Sequence, residues 1–135
     1  MQDTALYQYL FGLKSPWAVS RVELNVTRQC VDVWAEHSED AACPCCTKTL
    51  PLYDHAEERT WRHLDSCQFQ THLHARIPRV ECGEHGVIQI TVPWAEPRSQ
   101  FTLLFERFAI DVLRQCDVSE ATRILRISWD EGGCQ

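Results

Sequence analysis

Apolar and polar residues alternate along the first part of the chain in a way that predicts one short helix and a β-hairpin. Residues 4–11 have the spacing of an amphipathic helix, which Ser15-Pro16 ends. Alternation with a period of two then runs through WAVSRVELNV and CVDVWAEH, with Thr27-Arg28-Gln29 as a short loop between them. Because alternate side chains of a strand share a face, these two segments are expected to pair with one apolar face.

The clearest strand pattern is CQFQTHLHARI, residues 67–77. One face carries the apolar or small side chains, which are Cys67, Phe69, Thr71, Leu73, Ala75 and Ile77. The other face carries polar side chains, which are Gln68, Gln70, His72, His74 and Arg76. Pro78 is expected to end this strand or to place it at a sheet edge. A shorter strand, VIQITV, follows Gly86 and stops before Pro93.

After Pro97 the apolar positions change to a helical period. The segment SQFTLLFERFAIDVLRQC has apolar side chains on one side of a helix, and Ser99 is a candidate N-cap. These side chains are Phe101, Leu104, Phe105, Phe108, Val112 and Leu113. A shorter helix, VSEATRILRI, follows with Ser119 as its expected cap. A boundary near residues 93–98 therefore divides a β-rich part from a helical part.

Composition and charge narrow the class of protein. The 135 residues are 44% hydrophobic and 24% charged, which is typical of a soluble globular chain, and no apolar run is long enough to span a membrane. The N-terminal segment is a poor signal peptide, so we expect a cytoplasmic protein in which eight cysteines indicate metal or redox chemistry. The net charge of −6 argues against a general coating of nucleic acid, although a local basic face is compatible with it.

Cysteine and histidine spacing predicts one structural zinc ion per chain. Cys43 and Cys46 have the C-x₂-C spacing of a metal-binding turn, and Cys82 and His85 form the matching C-x₂-H pair, with 35 residues between the two pairs. The two turns, separated by the best strand, resemble the two knuckles of a zinc ribbon. A glycine after the second ligand allows a positive φ, and Gly86 meets this need in the second turn.

Other uses of these residues are less well supported by spacing. Cys45 would need a cramped pairing with Cys43, and Cys67 could replace His85 as fourth ligand but has no x₂ partner. His72 and His74 share a strand face and could bind a second metal. A zinc deaminase is not supported, because its H-x-E element would have to precede P-C-x-x-C and the spacing also fails, and a redox dithiol lacks its βαβ context. Buried free thiols beside a surface histidine remain the alternative to a metal site.

The residues also resemble a known family over nearly the whole chain. The runs RTWRHLDSCQFQTHLHARIPRVECGEHGV, VPWAEPRSQFTLLFERFAIDVL and ATRILRISWDE are similar to the N-terminal part of bacterial insertion-sequence transposases of the ISL-three type. That resemblance implies a zinc-binding domain with ligands at Cys43, Cys46, Cys82 and His85, then a helix-turn-helix at roughly Phe101 to Glu131. In the family a DDE catalytic domain of the RNase H type follows.

The resemblance leads to an α+β prediction with two parts. Residues 1–97 are expected to hold the N-terminal helix, the hairpin and a β-rich zinc-ribbon-like domain, and residues 98–135 a helix-turn-helix-like segment that is incomplete at its C-terminus. A small helical bundle packed on the zinc module is the alternative for the second part.

The chain departs from the family pattern at three places. Thr47 stands where the family has glycine, and the expected recognition helix, opened by the capping box Ser128-Trp-Asp-Glu131, is followed by GGCQ. The catalytic carboxylates would lie beyond residue 135. We therefore expect no catalytic residue and no enzyme activity for this chain alone, which would be a truncated or frameshifted copy with weak binding to element ends.

The implied function is recognition of the terminal inverted repeats of an insertion sequence during DNA transposition. The expected partner is double-stranded DNA in the nucleoid, with self-association as a further expectation and with no membrane or small-molecule substrate. Six arginines are candidates for DNA contact, and they are Arg59, Arg62, Arg76, Arg79, Arg123 and Arg126. The alternative to DNA contact is pairing with nearby carboxylates such as Asp65, and the alternative function is a free-standing zinc-stabilised interaction or transcription-regulatory module.

Overall fold

The computed structural model describes residues 3–14, 16–37 and 39–126, and this part of the chain is mostly β-sheet with three helices. It begins with helix α1 (Asp3–Leu10) and continues with seven strands. In chain order these are β1 (Trp17–Asn25), β2 (Cys30–His37), β3 (Ala41–Ala42), β4 (Thr49–Leu50), β5 (Leu52–Ser66), β6 (Phe69–Cys82) and β7 (Gly86–Gln89). Helices α2 (Leu103–Gln115) and α3 (Val118–Leu125) complete it. None of these helices is long and apolar enough to cross a membrane.

The main sheet has five strands with β6 at its centre. Its order is β1-β2-β6-β5, and β7 pairs with the later residues of β6. β1 pairs antiparallel with β2, which confirms the predicted hairpin, whereas β2 lies parallel to β6. β5 and β6 form a long antiparallel hairpin, and β3 and β4 form a small separate sheet.

The hydrophobic core lies on the face of β6 that the alternation predicted. Leu73, Ala75 and Ile77 are each buried there. Three tryptophans close this core, since the Trp94 ring meets Trp17 edge-on with centroids 4.6 Å apart and Trp61 with centroids 5.2 Å apart. Edge-to-face rings at this separation are the arrangement that aromatic quadrupoles favour.

Strand β5 is the largest difference from the sequence prediction. It is fifteen residues long, yet its alternation is interrupted because Trp61, Arg62 and His63 are all buried. The predicted start of the neighbouring strand is also wrong: Cys67 and Gln68 form the turn between β5 and β6, with φ of 51° and 74°. Pro78 does not end β6, which continues to Cys82.

Both C-terminal helices begin at residues other than the predicted caps. Thr102 caps α2, because its side chain accepts a hydrogen bond from the Phe105 N–H, and Asp117 caps α3 by accepting one from the Glu120 N–H. Within α2 only Phe105 is buried among the side chains described. The apolar residues of these helices that remain exposed are Leu103, Leu104, Phe108, Ile110, Leu113, Val118 and Ile124.

Candidate functional site

The first metal-binding turn connects β3 to β4. The Cys43 N–H donates a 2.9 Å hydrogen bond to the Lys48 carbonyl, and the Thr47 N–H donates a 2.8 Å bond back to the Cys43 carbonyl. These bonds close the loop tightly. They place Cys43, which is fully buried, and the half-buried Cys46 in one small cluster.

The second turn connects β6 to β7. Cys82 is the last residue of β6 and pairs with Gly86, the first residue of β7. Gly86 has φ of 74°, the left-handed conformation that glycine adopts without steric cost. This turn brings Cys82 and His85 to the end of the central strand.

All four predicted ligands meet between the two turns. Their potential ligand atoms lie within 4.8 Å of one another. The Cys46 and Cys82 Sγ atoms are 3.6 Å apart, and the His85 Nδ1 is 3.4 Å from the Cys82 Sγ and 3.8 Å from the Cys43 Sγ. Tetrahedral zinc with ordinary bond lengths separates two sulfurs by about 3.8 Å and a sulfur from a nitrogen by about 3.6 Å. The cluster therefore fits one structural zinc ion.

The local electrostatics favour thiolate at Cys82. Contact with the His85 side chain, with help from the N–H groups of Glu84 and His85, lowers the pKa of Cys82 to about 6, and the pKa of His85 is raised in return. Burial raises the pKa of Cys43, but the N–H groups of Cys45 and Cys46 outweigh it and the net shift is downward. Since zinc binds thiolate sulfur and neutral imidazole, the lowered pKa values of Cys82 and Cys43 reduce the cost of deprotonating these two thiols. The raised pKa of His85 acts in the opposite direction, as does the raised pKa of Cys46, where the Lys48 N–H lowers the pKa but burial and the neighbouring Cys82 and Cys43 thiols outweigh it.

Thr47 takes the conformation that glycine takes in the second turn. Its φ is 62°, beside 74° for Gly86. A β-branched residue in this left-handed region is strained by roughly 1–2 kcal/mol. The first turn thus has ordinary knuckle geometry in spite of its unusual residue.

We expect Thr47→Gly to stabilise the zinc-loaded protein by about 1 kcal/mol, because relief of strain outweighs the larger entropy of the unfolded glycine chain. Urea unfolding with saturating zinc measures this change. Thr49→Gly is the matched control, since Thr49 lies in β4 and glycine is expected to weaken a strand. A loss of stability in Thr47→Gly would contradict the strain argument.

The remaining cysteines and histidines of the sequence prediction lie outside the cluster. Cys45 is an exposed free thiol in the first turn, and Cys67 is exposed at the opposite end of β6 from Cys82. His72 is buried at 1% exposure. His74 stacks on Trp34, and its Nε2 lies 2.7 Å from the Asp32 carboxylate. Among the described residues, the Cys/His cluster is the one group of three or more side chains placed to share a metal.

Five of the six candidate arginines keep part of their surface, and these are Arg59, Arg76, Arg79, Arg123 and Arg126. Arg76 and Arg123 are exposed, and Arg76 Nε donates to the Ala56 carbonyl over 3.1 Å. Arg79 forms two hydrogen bonds with Asp54, and Arg59 donates to the Ser99 carbonyl over 3.1 Å. These contacts leave the first four side chains at or near the surface.

Arg62 and Arg126 have different surroundings. Arg62 is buried at 5% exposure, with its guanidinium bonded to main-chain oxygens at the end of α3, so it offers no surface to a phosphate in this arrangement of the chain. Arg126 is the C-cap of α3 and contacts Asp65 and the Gln68 carbonyl. From the sequence, Asp65 was considered only as a carboxylate that could pair with an arginine. No sequence signal indicated the main-chain carbonyls as acceptors. The capping box at residues 128–131 lies outside the described residues.

These features define a class: a zinc-ribbon protein with a following helical segment. The family profile described as the zinc finger of transposase IS204/IS1001/IS1096/IS1165 matches residues 39–85, which include all four clustered ligands. The helix-turn-helix domain of transposase family ISL3 matches residues 90–131. The chain therefore belongs, over its zinc-ribbon and helix-turn-helix regions, to the ISL3 family of transposases.

Curated relatives support the same family. The transposase for insertion sequence element IS1557 from two Mycobacterium tuberculosis strains, CDC 1551 / Oshkosh and ATCC 25618 / H37Rv, is 32% identical over 136 residues. The alignment covers 96% of this chain but 31% of each relative, so the chain spans about a third of their length. No solved structure matches the chain.

Proposed function

We propose that this chain is the DNA-binding part of an ISL3-type transposase and recognises the ends of the mobile element. The observation that carries the proposal is the four-ligand cluster inside the zinc-ribbon match, followed at once by the helix-turn-helix match. The division into a zinc-ribbon part up to residue 97 and a helical part from residue 98 belongs to this proposal. A family-level match supplies the expected partner, and the experiment below tests it.

The zinc ligands in this proposal are Cys43, Cys46, Cys82 and His85. Four protein ligands fill a tetrahedral zinc ion and leave no position for water or substrate, which is the composition of structural zinc sites. The ion would tie the β3–β4 turn to the end of β6. Its role is then to hold the shape of the module and not to perform chemistry.

Contact with DNA is assigned to the arginines that have exposed surface. Arg76 on β6 and Arg123 in the last turn of α3 are the best placed. Arg79 and Arg59 are partly exposed; Arg79 lies three residues after Arg76, and Arg59 on β5 pairs with Ala75. Arginine guanidinium groups contact phosphates, which positions a protein on the duplex, whereas base contacts supply sequence specificity. Since the net charge is −6, such contacts must be confined to local surfaces.

Self-association belongs to the same proposal. Helices α2 and α3 expose seven large apolar side chains within 22 residues (103–124). On an ordinary protein surface such side chains are scattered singly. Their exposure supports a protein contact through these two helices.

A binding titration with two duplexes tests the function. The full chain with one equivalent of zinc is titrated against a fluorescent duplex of the terminal inverted repeat that flanks its own coding sequence, and against a shuffled duplex of equal length and composition. We expect micromolar binding with at least a roughly tenfold preference for the repeat, since non-specific binding alone gives about 10⁻⁴–10⁻⁶ M. The control is Arg123→Gln, which should weaken binding to both duplexes.

Equal affinity for the two duplexes would contradict recognition of element ends. Absence of binding to both duplexes at low salt would contradict DNA binding altogether, and would favour the alternative of a zinc-stabilised interaction module.

A further inference from the structure

Arg62 is a charged side chain of β5 with 5% of its surface exposed. Its Nη2 donates to the Leu125 carbonyl over 2.9 Å and its Nη1 to the Arg126 carbonyl over 3.1 Å. The last carbonyls of an α-helix have no partner within the helix and carry its partial negative charge. The guanidinium therefore satisfies two carbonyls at the C-terminal end of α3, and its positive charge complements the partial negative charge there.

The same residue also contacts the start of α2. The Arg62 N–H donates to the Gln100 carbonyl over 2.8 Å, and the Thr102 N–H donates to the Arg62 carbonyl over 2.9 Å. The guanidinium lies 5.0 Å from the centre of the Phe105 ring, which is the buried side chain of α2. Arg62 thus contacts both the N-terminal end of α2 and the C-terminal end of α3.

Asp65 completes this arrangement from the end of β5. One carboxylate oxygen accepts a 2.9 Å hydrogen bond from the Arg62 Nη2, and the other contacts the Arg126 guanidinium. Arg126 has the left-handed conformation, with φ of 56°, and also donates to the Gln68 carbonyl in the β5–β6 turn. The buried charge of Arg62 is therefore paired, as a charge inside a protein must be.

We propose that Arg62, with Asp65, is a positioning residue that fixes the end of α3 against the β5–β6 hairpin and so sets the direction in which the helix-turn-helix continues. The family match runs to residue 131, past this contact, and in such motifs the helix after the turn enters the major groove. If the zinc-ribbon part and the helix-turn-helix part both contact DNA, a fixed orientation between them reduces the conformational entropy lost on binding. The part of this inference that concerns DNA recognition rests on the proposed function, whereas the part that concerns the position of α3 does not.

The contact with two successive carbonyls demands arginine. Lysine keeps the charge but has a single ammonium group, which cannot reproduce the planar fork of donors. Arg62→Lys is therefore the most informative variant, because it keeps the positive charge and removes the planar arrangement of guanidinium donors. The zinc cluster lies at the other end of β6, so zinc content should remain about one per chain in this variant.

Hydrogen exchange of the DNA-free chain tests the part that concerns the position of α3. We expect Arg62→Lys to lower the protection of the α3 amides at least about tenfold while those of β6 change little. Asp65→Asn should act in the same direction with a smaller effect, and it replaces Arg62→Lys if that variant does not fold. Unchanged α3 protection in the folded variant would overturn the proposal.

The salt dependence of DNA binding tests the role in recognition. Arg62→Lys should weaken binding to the repeat duplex about tenfold with an unchanged slope of log K against log salt. Arg123→Gln, a proposed phosphate contact, should instead lower that slope by about 0.9. A reduced slope in a variant that removes the charge, Arg62→Met, would identify Arg62 as a phosphate contact and overturn the positioning role. If the wild-type chain bound no DNA, the proposed function would be wrong. The hydrogen-exchange experiment would still show whether Arg62 stabilises the end of α3.

Discussion

Cys82→Ser is expected to lose the zinc ion and, with it, the folded structure of the zinc-binding region. Cys82 is buried at 2% exposure, and its Sγ lies 3.6 Å from the Cys46 Sγ and 3.4 Å from the His85 Nδ1, so it occupies the middle of the cluster. A serine hydroxyl is a poor ligand for zinc compared with a thiolate. Binding of a structural zinc contributes roughly 10–16 kcal/mol, whereas a whole domain is stable by roughly 5–15 kcal/mol.

Two measurements check this result. Metal analysis should fall from about one zinc per chain to near zero, and the cooperative thermal transition should be lost or moved far downward. The matched control is Cys45→Ser in the same turn, where the thiol is exposed and lies outside the cluster, so zinc content and stability should be kept. Normal folding of Cys82→Ser in the presence of chelator would rule out a structural zinc at this site.

The metal cluster was predictable because its geometry is local. Each ligand pair lies within one four-residue turn, and the regular alternation of β6 was visible between the turns, although β4 and β5 also lie there and were not predicted. Spacing therefore selected Cys43 and Cys46 over Cys45, and the cluster contains the selected pair. Sequence could also suggest that Thr47 was unusual, but only the backbone showed that it takes a φ of 62°.

Strand β5 and the start of α2 were missed because tertiary contacts decide them, whereas the Asp117 cap of α3 is a local contact with the Glu120 N–H that the sequence prediction passed over in favour of Ser119. Trp61 is buried against the tryptophan core, whereas its neighbour Arg62 is buried by α2 and α3 on the other face, so no period-two pattern remains at this point. The chain from Gln100 to Thr102 hydrogen-bonds to β5, which delays the start of α2 beyond Ser99. An alternation rule assumes one solvated face, and it fails where both faces are covered.

The burial of Arg62 changes how the candidate DNA contacts are understood. A set of arginines beside a predicted helix-turn-helix suggests phosphate binding on composition alone. The structure gives the buried Arg62 two main-chain acceptors, and pairs the partly exposed Arg126 with the Asp65 carboxylate. Arg62 and Arg126 thus stabilise the contact between sheet and helices, and the proposed DNA contacts are the smaller set that includes Arg76 and Arg123.

Trp61→Ala is expected to lower the free energy of unfolding by about 3–5 kcal/mol, the usual cost of truncating a buried aromatic side chain. Trp61 is completely buried, packs edge-on against Trp94, and lies opposite Leu73 in the sheet. Its removal would leave a cavity between β5 and the chain that leads to α2, which close packing of the neighbouring strands prevents from collapsing.

Urea unfolding with saturating zinc measures this cost separately from metal loss. Tyr53→Ala is the matched control, because Tyr53 is an aromatic residue of the same strand that is 56% exposed. Its change should stay within about 0.5 kcal/mol. Zinc content should be unchanged in both variants, since neither side chain belongs to the cluster. Equal losses in the two variants would show that the tryptophan cluster is not the core that holds β5 to the sheet.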